Sequence, residues 1–447
     1  MDSMLEWSRA AWRRHLPNVP DINAFVRRLG DGTIHGLAHA TAIAYPDKLA
    51  VRIGDESITH GELDALAAQH RRSIKAGDRV LIAAPPSVQW VAEYLGILQA
   101  GGVAVPTNPA YTEAERDALA QASSSASWDE RDGADAVALL AFTSGTTGKP
   151  KAVPLTHRNL LTSIRAAMAA WRWRRYDILV HALPLFHQHG LGGLHATLIA
   201  GSSLHLLPRF DPEELLRATE KATVLFAVPT MYQRLEGRSG SQLRLCISGS
   251  APLSRAIAKH AEDVLGRAPL VRYGTTESGL GTSQVISDPP ADTVGIPLPG
   301  VELRLGDDGE IQLRGPQVAT AFLEKDGWFR TGDVGRLDEA TGQLVIDGRI
   351  KEMIITGGMK VYPREVEVAL ESHPDVAEAA VAGVASERWG EQVTAWVVLK
   401  PGASFDAGSI VEHTGTLLAP YKRPKEIKLL ESLPRNHVGK IDRRGLR

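Results

Sequence analysis

Short apolar segments alternate with helical segments along most of this chain, and that alternation restricts the fold more than any other sequence feature. Asp78–Ala84 is a compact apolar run bounded by Gly77 and Pro85, which is typical of a buried strand. Similar apolar segments recur downstream at Ile178–Ala182, Ser203–Leu207, Val224–Ala227, Leu243–Ile247 and Leu270–Tyr273. Because strands that alternate with helices form mostly parallel sheets covered by helices, the sequence predicts an α/β fold.

The pattern changes near residue 300, where short alternating strands with tight turns replace the strand–helix units. Leu303–Leu305, Glu310–Leu313 and Leu344–Ile346 have this alternation. We therefore predict a large N-terminal domain of mixed, mostly parallel sheets with helices and a small barrel-like β subdomain, followed by a small α+β C-terminal domain. The predicted domains are residues 1–350 and 351–447, within the limit of about three domains for 447 residues.

Charge and cysteine content exclude several classes of protein. The 50 Lys and Arg residues nearly balance the 52 Asp and Glu residues, so no electrostatic feature favours a dedicated nucleic-acid binder. The single cysteine, Cys246, cannot form an intramolecular disulfide or a Cys-based zinc site. It lies in the apolar segment Leu243–Ile247, which favours a buried core thiol over a nucleophile.

No membrane segment and no targeting segment is predicted. No stretch reaches the roughly 18 uninterrupted apolar residues that a membrane-spanning helix needs. The N-terminal segment combines aromatic, basic and acidic residues, namely Asp2, Glu6, Trp7, Arg9, Trp12, Arg13 and Arg14. Because an organellar presequence is poor in acidic residues, we expect a surface helix that docks on the body of a cytoplasmic enzyme.

The strongest local signal is an apolar strand that leads into a loop of hydroxyls, glycines and lysines. Leu139–Phe142 is the strand, and Thr143–Lys151 is the loop. Glycines let backbone N–H groups approach an anion, and hydroxyls and lysines add donors and charge, which favours a phosphate-binding loop over a polar surface turn. It differs from a Walker loop, because only two residues separate Gly145 from Gly148 and Pro150 replaces the metal-binding Ser or Thr.

Thr143–Lys151 resembles the phosphate loop of the adenylate-forming superfamily, which contains acyl- and aryl-CoA synthetases, adenylation domains and luciferases. Four further segments resemble the remaining motifs of that family in the same order: Tyr273–Glu277, Gly327–Asp333, Asp347–Glu352 and Pro434–Lys440. The resemblance covers about residues 34–447. It implies a two-step reaction: a carboxylate attacks the α-phosphate of ATP to give an acyl-adenylate and pyrophosphate, and a thiol then displaces AMP.

The resemblance also implies which residues bind ATP. They are Thr143, Ser144, Gly145, Thr146, Thr147, Gly148, Lys149, Ser250, Ala251, Pro252, Arg272, Tyr273, Gly274, Thr275, Asp333 and Arg349. Among these, Tyr273 is implied to stack on adenine, Asp333 to accept the ribose hydroxyls, and Arg349 to reach the ribose–phosphate region. Structural roles remain open at this point, with Tyr273 as a core residue and Asp333 as a turn residue.

Three residues are implied to take part in the first chemical step. Thr276 would hold phosphate oxygens, and Glu277 would bind Mg²⁺, a hard ion that prefers carboxylate and phosphate oxygens. Lys440 would bridge the substrate carboxylate and the α-phosphate with its point charge. The alternatives are a helix-start acid for Glu277 and a solvent-exposed lysine for Lys440.

The second step implies a mobile C-terminal domain that turns about Lys351, a movement that few hinge residues absorb. The loop with Gly357 and Gly358 would then face the site, and its glycines would leave room for the pantetheine arm of CoA. Taken alone, Lys351 is also consistent with an exposed lysine at the end of a strand.

Polar residues stand at the positions that the resemblance assigns to the acyl substrate: His187, His189, Ser250 and Arg272. An arginine, histidines and a hydroxyl around one pocket suit an anion, and a buried arginine needs either a protein carboxylate or a substrate carboxylate. The motifs around His189 and Arg272 resemble the malonyl-CoA and methylmalonyl-CoA synthetase branch. Thr275–Gly279 departs from that branch. A short monocarboxylate and an arginine paired with a local acid therefore remain open.

These features together predict an AMP-forming acyl-CoA synthetase that uses ATP, Mg²⁺ and CoA to activate a short carboxylic acid, with malonate or methylmalonate first. One alternative is a stand-alone adenylating enzyme that loads an acyl or aryl acid onto a carrier protein. Another is a catalytically silent nucleotide-binding or scaffold protein. ATP–pyrophosphate exchange separates the last alternative from the two enzymes, and the identity of the thiol acceptor separates the enzymes from each other.

Overall fold

The structure is a computed structural model that describes residues 2–144, 150–240, 242–288, 292–435 and 441–446. The chain divides into two compact units. The first contains Met1–Arg304 and Gln312–Arg330, and the second contains Leu305–Ile311 and Thr331–Arg447. The predicted domain limit at residue 351 stays a prediction.

Two sheets organise the first unit. Its strands are β1 (Leu49–Ile53), β2 (Glu56–Thr59), β3 (Arg79–Ile82), β4 (Val103–Pro106), β5 (Val137–Ser144), β6 (Pro150–Thr156), β7 (Ile178–His181), β8 (Ser203–Leu206), β9 (Val224–Ala227), β10 (Leu245–Ser248), β11 (Leu270–Thr275), β12 (Gly279–Ser283) and β13 (Ile296–Pro297). The larger sheet has the order β13-β12-β11-β10-β9-β7-β8-β1-β2, and the smaller has the order β3-β4-β5-β6. Most internal pairs are parallel, whereas the pairs β1–β2, β11–β12, β12–β13 and β5–β6 are antiparallel. This arrangement confirms the predicted α/β class.

Helices cover these sheets. They are α1 (Asp2–His15), α2 (Ile22–Arg27), α3 (Ile34–Ala44), α4 (His60–Arg71), α5 (Val88–Gln99), α6 (Glu113–Ser125), α7 (His157–Ala170), α8 (Gln188–Ala200), α9 (Pro212–Thr219), α10 (Pro229–Gln233) and α11 (Arg255–Leu265). Every residue of β9 is buried, as expected for a central parallel strand with both faces covered. Within the described part of the chain, no helix is long and apolar enough to cross a membrane.

Helix α1 docks on the first unit, as the sequence predicts for the N-terminal segment. The indole N–H of Trp12 donates to the carbonyl of Val301 at 3.0 Å, and Ala11 packs in a small core with Val285 and Ile296. Cys246 lies in the main core of the unit, and burial raises the pKa of its thiol to about 12. The thiol is therefore neutral at physiological pH, as expected for a core residue.

The second unit contains a small sheet with two helices. Two strands, β14 (Glu302–Leu305) and β15 (Glu310–Arg314), lie in the stretch of sequence where the chain passes between the units. The later strands are β16 (Phe329–Leu337), β17 (Leu344–Arg349), β18 (Ile354–Thr356), β19 (Met359–Val361), β20 (Val376–Ser386), β21 (Gly390–Leu399) and β22 (Glu426–Leu429). Strands β19, β18, β21 and β20 are neighbours in that order, and β22 pairs with β21. The helices are α12 (Pro363–Glu371) and α13 (Ala407–Leu417). Their apolar faces share a core with β20 and β21.

Candidate active site

The carboxyl ends of β7, β9, β10 and β11 lie side by side at one edge of the larger sheet, which is where ligands bind in open α/β sheets. His181 is the last residue of β7, and Phe226 lies in β9. The strand register places Phe226 beside Ile247 and Ile247 beside Leu270. Arg272 lies two residues beyond this level, on the same face of the sheet as Leu270.

The Arg272 guanidinium is buried without a protein partner among the described residues. The residue is 9% exposed, and its Nε atom has no hydrogen-bond partner. No described carboxylate lies within ion-pair distance, so the alternative of a local acid has no support in the part of the chain that the structure describes. Burial lowers the pKa of Arg272 to about 10, which leaves the guanidinium charged at neutral pH.

Gly249, which directly follows β10, makes room for this guanidinium. A Cβ atom on Gly249 would lie 2.5 Å from the Nε atom of Arg272, closer than real Cβ atoms pack. Ser250 follows with a φ of 70°, a left-handed conformation that costs a serine about 1–2 kcal/mol. The predicted residues Ser250, Ala251 and Pro252 therefore follow Gly249 beside Arg272, and sequence reasoning missed that Gly249 leaves the space for this guanidinium.

His189 lies in the first turn of α8 and faces the same region. It is 8% exposed, and neither ring nitrogen has a hydrogen-bond partner among the described residues. The pKa of His189 lies well below its usual value. Burial is the largest cause, and the charge of Arg272 and the neighbouring His181 and His187 lower the pKa further. His189 is therefore a neutral ring at pH 7, able to donate one hydrogen bond and accept another.

His181 and Phe226 complete this buried cluster, although the sequence did not single them out. The Nδ1 atom of His181 accepts from the backbone N–H of Leu183 at 3.1 Å, which leaves its proton on Nε2. Burial lowers the pKa of His181 to about 3. The ring of Phe226 lies 6.4 Å from the ring of His181 and 5.2 Å from that of His189. A histidine at the carboxyl end of an apolar strand was the available signal.

A tight turn after β11 carries Thr276 and Glu277. The backbone N–H of Thr275 donates to the Ser278 hydroxyl at 3.1 Å, and the N–H of Ser278 donates to the Thr275 hydroxyl at 3.2 Å. Gln188, at the start of α8, donates from its side-chain amide to the Thr276 carbonyl at 2.8 Å. The turn is thereby fixed both internally and to α8, a tether that the sequence did not reveal.

The Glu277 side chain leaves its carboxylate available. The Glu277 carbonyl accepts the N–H of Ala319 at 2.8 Å, which holds the backbone. The half-buried carboxylate itself has neither a hydrogen bond nor an ion pair to a described residue. A free carboxylate on a fixed turn fits a divalent cation such as Mg²⁺. Over the described ranges, no group of three His, Cys, Asp or Glu side chains could hold a metal ion by itself.

Next to this turn lies a small recess. The residues that line it come from β4, β5, the segment that leads into α8, α8 itself and the turn: Pro106, Leu139, Ala141, Phe142, Phe186, His187, Gln188, Leu191 and Thr276. The ring of His187 lies 4.7 Å from that of Phe186. The structure thus brings the predicted residues His187 and Thr276 together on one recess. Tyr273 and Gly274 immediately precede the turn, and Tyr273 is buried.

The predicted phosphate loop is only partly within the described structure. Thr143 lies near the end of β5 and pairs with Lys151 of β6, and Ser144 pairs with Pro150. Gly145, Thr146, Thr147, Gly148 and Lys149 lie outside the described residues. The strand that leads into the loop is therefore confirmed, and the phosphate contacts of the loop stay predictions.

In the second unit, Asp333 and Arg349 are neighbours across the antiparallel pair β16–β17. The Nε atom of Arg349 lies 2.8 Å from the Oδ1 atom of Asp333, and the side chains are 55% and 4% exposed. The structure therefore brings these two predicted ATP-binding residues together. The exposed arginine orients the buried carboxylate, a contact consistent with one shared site.

The predicted hinge and CoA residues lie on exposed parts of the second unit. Lys351 is exposed in a short 3₁₀ helix, Ile350–Glu352. Gly357 and Gly358 form the two-residue turn between β18 and β19, with φ values of 56° and 80°. This geometry matches a type I′ hairpin turn, which requires a positive φ at both positions and so gives the glycines a structural role. Lys440 lies outside the described residues.

Comparison with known proteins defines the class to which this site belongs. The family model described as "AMP-binding enzyme" matches residues 39–127 and 117–323, and the model described as "AMP-binding enzyme C-terminal domain" matches residues 365–440. The chain belongs to this family of AMP-binding enzymes, and it is an acid–thiol ligase.

Among individual proteins, the chain is 34% identical to a Mycobacterium tuberculosis ligase named 3-[(3aS,4S,7aS)-7a-methyl-1,5-dioxo-octahydro-1H-inden-4-yl]propanoyl:CoA ligase, over 90% of this chain and 96% of the relative. It is 30% identical to a malonate–CoA ligase of Arabidopsis thaliana, over 90% and 86%. It is also similar to the crystal structure of ATP-bound MatB from Rhodopseudomonas palustris, with a TM-score of 0.82 and 33% identity over 92% of this chain and 98% of that one.

Proposed function

We propose that this chain activates a short dicarboxylic acid, with malonate or methylmalonate as the first candidates, and transfers the acyl group to CoA. The observation that carries the proposal is the buried Arg272 guanidinium, which no described carboxylate neutralises. A buried charge without a partner is costly, and a carboxylate on the substrate would supply that partner in bidentate geometry.

The charge count around the acyl site supports one additional carboxylate. His189 and His181 are neutral at pH 7, so Arg272 is the sole positive charge among the three buried polar side chains of this cluster. A monoanionic group would balance that charge, and His189 could donate to it. An alkyl chain in the same place would leave the Nε atom of Arg272, both ring nitrogens of His189 and the Nε2 atom of His181 without partners, which costs about 1–3 kcal/mol for each buried polar group.

The relatives support a CoA ligase but do not agree on the acid. One relative is named for a bicyclic propanoate and another for malonate. Identity near 30% therefore leaves the choice of acid to the residues of the pocket. A CoA ligase name on both relatives favours CoA as the thiol acceptor over a carrier protein.

The remaining residues divide the adenylation step among them. ATP and Mg²⁺ are the cofactors, and Glu277 would hold the metal, which neutralises phosphate charge when bound. Thr276 and the hydroxyls of residues 143–147 would hold phosphate oxygens, and Tyr273 would stack on adenine. Asp333, oriented by Arg349, would accept the ribose hydroxyls. Lys440 would supply positive charge between the substrate carboxylate and the α-phosphate.

A panel of acids tests the proposal directly. AMP formation is measured with ATP, Mg²⁺ and CoA for malonate, methylmalonate, acetate, butyrate and benzoate. We expect the highest kcat/KM for a dicarboxylate. We compare this ratio because it measures how much more strongly the enzyme binds the transition state of one acid than that of a competing acid. Preference for butyrate or benzoate over malonate contradicts the proposed acid. AMP release that requires a phosphopantetheinylated carrier protein, and does not occur with CoA, contradicts the proposed acceptor.

A further inference from the structure

Arg443 joins three elements of the second unit through its three guanidinium nitrogens. Its Nε atom donates to the Val381 carbonyl of β20 at 3.1 Å, and its Nη2 atom donates to Oε1 of Glu367 in α12 at 2.6 Å. Its Nη1 atom lies 3.0 Å from Oε2 of Glu352. The Glu367 side chain is 3% exposed and the Glu352 side chain 38%, so one contact is buried and the other is accessible to water.

The same arginine stands at the base of the segment that carries Lys440. Arg435 and Ile441 form an isolated antiparallel bridge, and the N–H of Asp442 donates to the Pro434 carbonyl at 2.8 Å. Arg435 also pairs with Glu378 of β20 at 2.9 Å. The described residues on both sides of 436–440 are therefore attached to one strand, and Arg443 follows them directly.

Glu352 is the residue after the predicted pivot, Lys351. Any rotation about the backbone of Lys351 carries Glu352 along with the part of the second unit that follows it in the chain. Its contact with Arg443 attaches the C-terminal side of the pivot to the core formed by β20 and α12. A hinge fixed in this way confines the φ/ψ change to a few residues.

We propose that Arg443 is a positioning residue that fixes the base of the Lys440 segment and hinge residue Glu352 to one core, so that both move as a single body. This inference rests on the proposed function, which assigns Lys440 to adenylation and Lys351 to the hinge. An arginine is needed because its planar group presents donors in three directions, whereas a lysine ammonium is a point charge on a flexible stem.

The test compares Arg443→Lys with a matched control, Arg364→Lys. The Arg364 side chain is equally shielded, at 20% exposed against 22% for Arg443, and it also faces Glu367, at 3.7 Å. It pairs with Glu371 at 3.1 Å and contacts neither Glu352 nor the base of the Lys440 segment. Both substitutions keep the charge, so only the loss of the three-way contact distinguishes them.

We expect Arg443→Lys to lower ATP–pyrophosphate exchange at least tenfold at saturating substrate, with KM for ATP unchanged within twofold. Thioester formation from supplied acyl-adenylate should also fall at least threefold, because the hinge contact with Glu352 is lost as well, and Arg364→Lys should leave both half-reactions within threefold. Glu352→Ala, which removes only the hinge contact, should retain exchange but lower CoA-dependent turnover at least threefold. Parallel losses in both half-reactions and in Tm for Arg443→Lys and Arg364→Lys would overturn the proposal.

Hydrogen exchange of the unliganded protein gives a readout that does not depend on activity. Arg443→Lys should raise amide exchange at least tenfold in peptides that cover both 350–353 and 434–442, and Arg364→Lys should raise it in neither. If exchange rises only near 434–442, the link to the hinge is wrong. If the wild-type protein activates no acid, the proposed function fails, and this exchange pattern still decides whether Arg443 joins the two segments.

Discussion

Replacing Arg272 with methionine should lower the activity on dicarboxylates and should leave the stability of the fold unchanged or higher. Burial lowers the pKa of Arg272 from 12.5 to about 10, which corresponds to a desolvation cost of roughly 3 kcal/mol at about 1.4 kcal/mol per tenfold change in the acid constant. No described carboxylate offsets that cost. Because an apolar side chain of similar volume avoids it, Arg272→Met should leave Tm unchanged or raise it.

The same substitution should remove the partner of the second substrate carboxylate. A buried carboxylate left without its charged partner costs about 2–5 kcal/mol, which is a loss of about 30-fold to several thousandfold in kcat/KM for malonate. Butyrate has no second carboxylate, so its kcat/KM should stay the same or rise. The assay is initial-rate AMP formation with each acid at saturating ATP and CoA, together with thermal unfolding of the unliganded protein.

A second arginine of the first unit provides the matched control. Arg244 is 20% exposed and contacts the fully buried Asp177 through two nitrogens, at 2.7 and 2.5 Å. Arg244→Met would leave that carboxylate without its charged partner, so it should lower Tm and affect both acids alike. If Arg272→Met instead lowers Tm and depresses malonate and butyrate to the same extent, Arg272 is a structural residue and the dicarboxylate proposal is wrong.

Three further predictions concern Lys440 in its proposed catalytic role, the glycine turn and the buried histidines. Lys440→Ala should lower ATP–pyrophosphate exchange about 10²–10³-fold but spare thioester formation from supplied acyl-adenylate, and equal losses in the two half-reactions would contradict its assigned role. Asparagine tolerates the φ of 80° at position 358, whereas leucine does not. If the turn lines a CoA channel, both Gly358→Asn and Gly358→Leu should block thioester formation. If the turn is purely structural, only Gly358→Leu should have an effect, which is a lower Tm. Burial lowers the pKa values of His157, His181 and His195 to about 3. The unfolded chain, with histidine pKa values near 6.5, binds more protons below that pH, so stability should fall as the pH drops from 6.5 toward 3. These groups together account for about 3 kcal/mol between pH 6.5 and 5.5, and an unchanged urea midpoint over that range would refute the estimate.

The fold was readable from the sequence because its central strands are buried on both faces. Val224–Ala227 is predicted and observed with the same limits, and the predicted strand Ile178–Ala182 exceeds β7 by one residue. A continuous apolar run bounded by turn residues is a local signal, and helices on both faces impose it. The family motifs similarly identify the enzyme class from local sequence alone.

The details of the proposed acyl site depend on contacts between residues far apart in the chain, so the sequence could only suggest them. That Arg272 lacks a described acid partner follows from the packing of β10, β11 and α8. The space left by Gly249 and the ring contacts of Phe226 have the same origin. Conversely, Gly357 and Gly358 form a local hairpin turn. The family resemblance predicted only that these glycines leave room for CoA.

The alternation of side chains along β11 explains how one strand can serve two ligands. Successive residues of a strand point to opposite faces, so Arg272 and Tyr273 project away from each other. Under the proposed function, the first meets the acyl group and the second meets adenine. Under this proposal, a change at residue 272 would alter the charge of the accepted acid without disturbing the stacking of Tyr273 on adenine.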